Sequence, residues 1–309
     1  LDEIPYTDTR QGEYPWVKGV RTEGNSWRIR QNIVVRSYRE ANQKARQIMM
    51  SGVDSLGFII ENPETVNGPN LRILLENIIP VAAELNFRST GKAIEIAQYI
   101  KQSYVRGGGL SDTVPGAVEA DPLGRLMLNG TLCIPVEKGF DYLKALVDLT
   151  SSIPDFRAID ISAWAFRNAG ADLVTELAFA MSMGSEYLNQ LTDRGIPAAK
   201  AAAGIRFSFG TGSEYFPEIA KLRAARLLWS AVMNRYLPGD ADKAKTEIHA
   251  VTSRWNKTIY DPYVNMLRTQ TEAMSAVLGG ADSVTVEPYD AVFRKSDSFS
   301  ERIARNQQL

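Results

Sequence analysis

Cysteine and histidine are nearly absent: the chain has one of each in 309 residues. A single cysteine allows no disulfide within the chain and no dithiol redox pair, and it fits a reducing, cytoplasmic setting. A single histidine excludes a zinc site built mainly from His and Cys, and leaves only His249 to any His-dependent triad. An excess of either charge is also missing. Lys+Arg number 35 against Asp+Glu 36, so no basic surplus draws the chain to nucleic acid. No run of 18 apolar residues spans a membrane, and no signal peptide opens the chain. The chain begins at Leu1 instead of Met, which reads as a processed or shortened chain.

What is present can bury a substantial core, since 44% of the residues are hydrophobic. The first stretch is polar and rich in turns, with Pro5, Gly12, Pro15, Gly19 and Gly24 among charges. It reads as an extended arm over residues 1–36, pinned by Tyr14, Trp16 and Trp27. Residues 37–309 then alternate short apolar runs with amphipathic stretches. Strands are expected at Val53–Glu61, Ile79–Asn86, Ala117–Asp121, Ala158–Ala165, Ile205–Gly210, Glu247–Thr252 and Ser283–Glu287. They show no strict alternation, as for strands buried on both faces.

Helices are expected near 37–51, 70–76, 89–104, 138–151, 170–193, 213–236 and 260–278. In 213–236, Tyr215, Ile219, Leu222, Ala225, Trp229, Val232 and Tyr236 share one face. Ser213 is the expected cap, and Lys221, Arg223 and Arg226 are assigned to the other faces. Such alternation predicts parallel strands with right-handed crossovers, as in a (β/α)8 TIM-type barrel or an open doubly wound sheet. Seven strands are counted. Either Trp27–Val35 supplies the eighth, or a last βα unit lies beyond Leu309; the helix start at Phe299–Leu309 favours the missing unit.

Local motifs are weak. Arg106-Gly107-Gly108-Gly109 follows a helix and lacks nucleotide-motif spacing, so it reads as a connector. Strand ends offer Glu61, Asn86, Asp121, Arg206, Ser208 and His249. Glu61 and Asp121 have the chemistry of an acid–base pair, although helix capping is the commoner fate of such carboxylates.

Four segments carry a more specific signal: Trp27–Gln31 (WRIRQ), Ile161–Ala171 (ISAWAFRNAGA), Phe216–Arg226 (FPEIAKLRAAR) and Glu301–Asn306 (ERIARN). In this order they resemble the adenosylcobalamin-dependent acyl-CoA mutases, above all the methylmalonyl-CoA mutase family, over most of 14–309. The resemblance implies a (β/α)8 barrel threaded by the pantetheine arm of coenzyme A, with a separate cobalamin domain. It also marks losses. Where active members read Ser-Gly-Tyr-His, with the His contacting the substrate thioester carbonyl, this chain has Ser162, Ala163, Trp164 and Ala165. In the family's His-Ser-Gln-Thr-Ser-Gly-Trp strand, Gln is replaced by Val251 and Gly by Arg254, while His249 remains. The arm segment Gly19–Trp27 is shorter and lacks the family's Tyr, and the segment supplying a substrate-pairing Arg is shortened. Arg206 and Ser208 match an Arg-x-Ser that meets coenzyme A.

Radical rearrangement needs a dry cavity with donors aimed at the migrating group. The pattern therefore resembles the small, non-catalytic subunit of heterodimeric members. Glu119, Trp164, Ala165, Arg206, Ser208, His249, Val251 and Arg254 are expected to line a vestigial substrate pocket, with no catalytic residue and no metal ligand on this chain. Adenosylcobalamin is expected on the partner, a large catalytic mutase subunit. The alternative is an active acyl-CoA mutase of altered specificity.

Overall fold

The computed structural model describes residues 8–309 except 23, 25, 106–112, 133 and 244. The Arg106–Gly109 run and Pro5 lie outside the described residues. Eight parallel strands close into a barrel in sequence order, and helices flank them. The chain divides into two compact units, one of Ile29–Ile161 with Tyr187–Ile205, the other of Leu1–Arg28, Ser162–Glu186 and Arg206–Leu309.

The first unit carries β1 (Arg28–Val35), α1 (Tyr38–Met49), β2 (Ser55–Ile60), α2 (Gly68–Leu75), β3 (Glu84–Arg88), α3 (Ala93–Ile100), β4 (Gly116–Ala120), α4 (Pro122–Asn129), α5 (Val136–Thr150) and β5 (Phe156–Ser162). The chain continues through α6 (Trp164–Asn168), α7 (Leu173–Asp193) and α8 (Ala198–Ala203). The second unit follows with β6 (Ile205–Thr211), α9 (Tyr215–Tyr236), β7 (Glu247–Thr252), α10 (Val264–Leu278), β8 (Ser283–Thr285) and α11 (Ser298–Asn306).

The expected missing βα unit is corrected. Arg28–Val35 is itself the first strand, so the barrel closes within this chain and the arm ends at Trp27. Its R-I-R-Q-N-I-V-V pattern alternates, with Ile33 and Val35 buried against the core. The third strand begins at Glu84 instead of Ile79, because Ile79–Ala82 forms a turn closed by Ala82 N–H donating to Ile79 O. Ala163–Ala165 leave the fifth strand and begin α6.

The strands are buried on both faces, as expected, and the two faces differ in chemistry. In the first unit the registers Arg30↔Ser55, Asn32↔Gly57, Gly57↔Asn86 and Asn86↔Ala117 put polar or small residues on one face. The opposite face carries Ile33, Leu56, Phe58, Leu85, Phe87 and Val118, each at most 2% exposed. Helix positions Leu71, Leu74, Ile96, Ala97, Leu143 and Leu146 supply the matching apolar surface. Phe58 and Phe87 stack at 5.5 Å, an arrangement worth about 0.5–1.5 kcal/mol beyond burial. Asp121 starts α4 by accepting from the Gly124 N–H, and Asn67 starts α2 by accepting from the Asn70 N–H.

In the second unit, Ser208↔His249 and His249↔Ser283 align one face of β6, β7 and β8, while Phe207, Phe209, Ile248, Ala250 and Val284 turn the other way. Trp229 of α9 meets Phe207 edge-on at 4.9 Å. Gly184 permits this packing, because a Cβ there would come within 2.8 Å of Trp229 and 3.0 Å of Phe207. Leu222, Ala225 and Trp229 lie on the buried face expected for α9. Lys221 and Arg226, assigned to the other faces, are also buried. Ser213 makes no cap for α9, and the Gly212 N–H instead donates to the buried Glu218 carboxylate at 2.7 Å.

The arm folds back on itself, with Gly12 N–H donating to Gly19 O and Gly19 N–H to Trp16 O. Trp16 is 3% exposed, whereas Tyr14 rests edge-on against it and stays half exposed. Arg21 donates to Asp282 O, tying the arm to the start of β8.

Candidate functional site

A TIM-type interior is ordinarily filled by bulky branched side chains. The inner strand faces of this chain carry instead Arg, Asn, Ser, Glu, Thr and His, most of them buried. Such groups cost free energy unless partnered, so their partners define the site.

In the first unit, Glu119 of β4 sits between two arginines. Arg30 Nη2 of β1 donates to Glu119 Oε1 at 2.5 Å, and Arg88 of β3 donates to Oε2 through Nε at 3.0 Å. Arg88 Nη2 also stands 2.8 Å from Oε2. The Arg30 and Glu119 side chains are 2% and 1% exposed, and that of Arg88 is 35% exposed. Gly57 of β2 lets Arg30 cross, since a Cβ there would overlap Asn32 and come within 2.9 Å of the guanidinium. One layer away, Ser55 donates to Glu84 at 2.5 Å and Asn86 donates to Ser55 at 3.1 Å. Of these, Glu119 and Asn86 were expected from sequence. Arg30, Arg88, Asn32, Ser55 and Glu84 were missed, although their period-two spacing in R-I-R-Q-N and E-L-N-F-R carries the signal.

Glu61 and Asp121 are each engaged with other partners. Glu61 pairs with Arg36 at the surface at 3.1 Å, and Asp121 caps α4 while accepting from Tyr187 Oη at 2.6 Å. Burial pushes the Tyr187 hydroxyl well above its ordinary pKa, and the Asp121 charge pushes the same way.

In the second unit, Arg206, Ser208, His249 and Val251 share one face, as their registers require. Arg206 is fully buried with Glu247 3.9 Å away. His249 is 3% exposed; its Nδ1 is 2.7 Å from Ser283 Oγ and its Nε2 is 3.2 Å from Thr285 Oγ1. Both ring nitrogens are thus engaged. Val251, 7% exposed, offers no polar atom. Ala165 is the second residue of α6 and equally apolar, and Trp164 opens that helix. Arg254 lies outside this row. It follows β7, its side chain is half exposed, and Nη2 donates to Glu287 at 2.6 Å.

Behind β6 lies a second polar cluster. Lys221 Nζ donates to Glu176 Oε2 at 2.6 Å and to Gly210 O at 2.5 Å, and stands 2.6 Å from Glu218. Arg167 donates to Glu218 and Glu214. Burial raises the Glu176 pKa against the pull of Lys221. Arg226 donates to Thr246 O, Gly280 O and Asp282 at 2.6–2.8 Å. Lys257 and Glu272 form a third buried pair at 2.6 Å, with burial pushing Glu272 up to about 7 and Lys257 down. No group of three or more His, Cys, Asp or Glu able to hold a metal occurs among the described residues. No helix among them is long and apolar enough to cross a membrane.

Comparison with known proteins gives this geometry a family. Residues 65–309 match the family model described as methylmalonyl-CoA mutase. Over its whole length the chain is 40% identical to the methylmalonyl-CoA mutase small subunit of Porphyromonas gingivalis, covering 50% of that protein. It is 34% identical over 96% of its length to the small subunit of Streptomyces virginiae, covering 47% of it. It is also similar to the P. gingivalis large subunit, at 26% identity over the whole chain and 47% of that protein. The chain spans about half the length of the curated relatives it matches. Its sequence similarity and its eight-stranded parallel barrel make it a member of the methylmalonyl-CoA mutase family.

Proposed function

We propose that this chain is the arm and barrel of a mutase small subunit that is itself non-catalytic and stabilises a large catalytic subunit in a pseudo-symmetric cytoplasmic heterodimer. The large chain would interconvert methylmalonyl-CoA and succinyl-CoA. The observation that carries this reading is the loss of donors at matched positions: Ala165 and Val251 stand where active members place His and Gln. Without them a migrating thioester oxygen has no hydrogen-bond donor from either position, and such donors supply much of the barrier lowering. Similarity to named small subunits at 40% and 34% identity supports the same reading.

The family depends in general on adenosylcobalamin, which supplies the radical initiator when bound. Among the described residues, no side chain fits the group as its holder. His249 is the chain's one histidine, and both its ring nitrogens are taken by Ser283 and Thr285. We assign the cofactor to the partner, as the resemblance to small subunits implies.

Co-expression with a large mutase chain, followed by gel filtration and assay, tests the pairing. Co-elution, with the large chain losing activity or stability alone, is expected. Separate elution with full activity of the large chain alone overturns it. Titration calorimetry with succinyl-CoA tests the loss of substrate binding, and no saturable binding at micromolar ligand is expected. Saturable binding would favour the active mutase of altered specificity, for which the retained Arg206, Ser208 and His249 speak.

A further inference from the structure

Glu119 holds two arginines as a bound carboxylate would. Each oxygen takes a different guanidinium, Oε1 from Arg30 and Oε2 from Arg88, and the three groups together carry one net positive charge. They come from three strands, β1, β3 and β4, with Gly57 of β2 left bare so that Arg30 can reach across. Arg30 is also incompletely satisfied. Its Nε donates to Asn32 at 3.2 Å and its Nη2 to Glu119, while its buried Nη1 has no hydrogen-bond partner. A cation placed on an inner strand face and sealed from solvent persists only with a counter-charge.

We propose that Arg30 and Arg88 form a latent carboxylate-binding subsite, kept closed by Glu119 acting as an internal substitute for a ligand carboxylate. The ligand class is a small organic carboxylate, free or at the end of a longer acid. In the wild-type chain Glu119 fills the subsite and takes the guanidinium donors that such a group would need. The chain would thus exclude a ligand carboxylate by occupancy, in addition to lacking donors at Ala165 and Val251. This inference concerns the first unit alone and holds whatever partner the chain has.

Glu119→Ala in the full-length chain should lower the melting temperature and create room for a carboxylate. Sodium propionate should then raise it by several degrees above sodium chloride at equal ionic strength. Propionamide, of similar shape without charge, should give no such shift, and wild type should respond to none of the three. Adding Arg30→Met to Glu119→Ala should abolish the response.

Equal effects of propionate and chloride on Glu119→Ala would overturn the proposal, as would an equal effect of propionamide. If Glu119→Ala yields no folded protein in either salt, Glu119→Gln decides. Its neutral amide leaves the arginines short of a counter-charge and is held weakly enough for a carboxylate to displace it, so propionate should still stabilise it more than chloride. A Glu119→Gln response identical to wild type would then overturn the proposal. Failure here leaves the heterodimer reading standing, and failed co-elution with a large chain leaves this subsite standing.

Discussion

The two units bury their helices by different chemistry. In the unit of β1–β5, helix-facing strand residues such as Phe58, Phe87 and Leu85 meet leucines, isoleucines and alanines of α2, α3 and α5. Its buried Arg30–Glu119 pair lies on the inner strand face. In the unit of β6–β8, charge enters the helix layer itself: α9 buries Glu218, Lys221 and Arg226, and α10 buries Asn265, Thr269, Glu272 and Ser275. Apolar packing tolerates small rearrangements, whereas a buried ion cluster demands every partner at once. The second unit should therefore be the less tolerant of single substitutions and the more sensitive to pH.

The largest expected effect is at Lys221. Lys221→Met leaves Glu176 and Glu218 without their ammonium and should cost about 3–5 kcal/mol of stability, read as a shift in denaturation midpoint. Leu143→Ala in the apolar layer of the other unit should cost about 2–5 kcal/mol by leaving a cavity. The two losses differ in kind. Burial already raises the Glu176 pKa, and loss of the ammonium raises it further, so the Lys221→Met loss should shrink as pH falls, while the Leu143→Ala loss should stay constant. Equal pH responses would erase the contrast between the units.

Glu272 sharpens the same contrast at smaller amplitude. Burial raises its folded pKa to about 7 from the ordinary 4.5, so between those values the folded chain binds more protons than the unfolded one. This group's contribution to stability is therefore greatest at and below pH 4.5 and is lost as pH rises to 7. The slope is at most about 1.4 kcal/mol per pH unit. Its partner Lys257 is lowered chiefly by burial, so its own titration acts below the ordinary 10.5 and with the opposite sign. Denaturation of wild type and Glu272→Gln across pH 4.5–7 should show the wild type losing stability relative to the variant. Parallel profiles would mean that Glu272 titrates normally.

These differences explain what was legible in the amino-acid sequence. The barrel was readable because its strands are short, its helices amphipathic and their order strictly alternating. Leu222, Ala225 and Trp229 were readable as a buried face because apolar spacing needs no partner to be recognised. Lys221 and Arg226 were not, because a charged residue reads as solvated until Glu176 or Asp282, 45 and 56 positions away, is seen beside it. β1 was read as arm because turn-forming residues run up to Asn25, although Arg30 and Asn32 already alternate with Ile29 and Ile33. Ala165 carries no local signal at all. A methyl group becomes informative only against a family that places a histidine there.

The smallest expected effects belong to the exposed pairs at the strand ends, one in each unit. Arg36–Glu61 is more than half exposed on both sides, and Arg36→Ala should change stability by less than about 0.5 kcal/mol. Arg254–Glu287 is better seated, because Glu287 is only 17% exposed and both Nε and Nη2 of Arg254 donate to one of its oxygens. Arg254→Gly should still cost no more than about 1 kcal/mol, with part of the loss reflecting added backbone freedom. The same substitution supplies the glycine that the resemblance to active mutases implies at this position. Because the guanidinium is held by Glu287, outside the row of His249 and Val251, removing it should create no saturable succinyl-CoA binding in titration calorimetry. Binding gained by Arg254→Gly alone would show that one surface cation had been closing the pocket, and that the losses at Ala165 and Val251 had not removed its affinity.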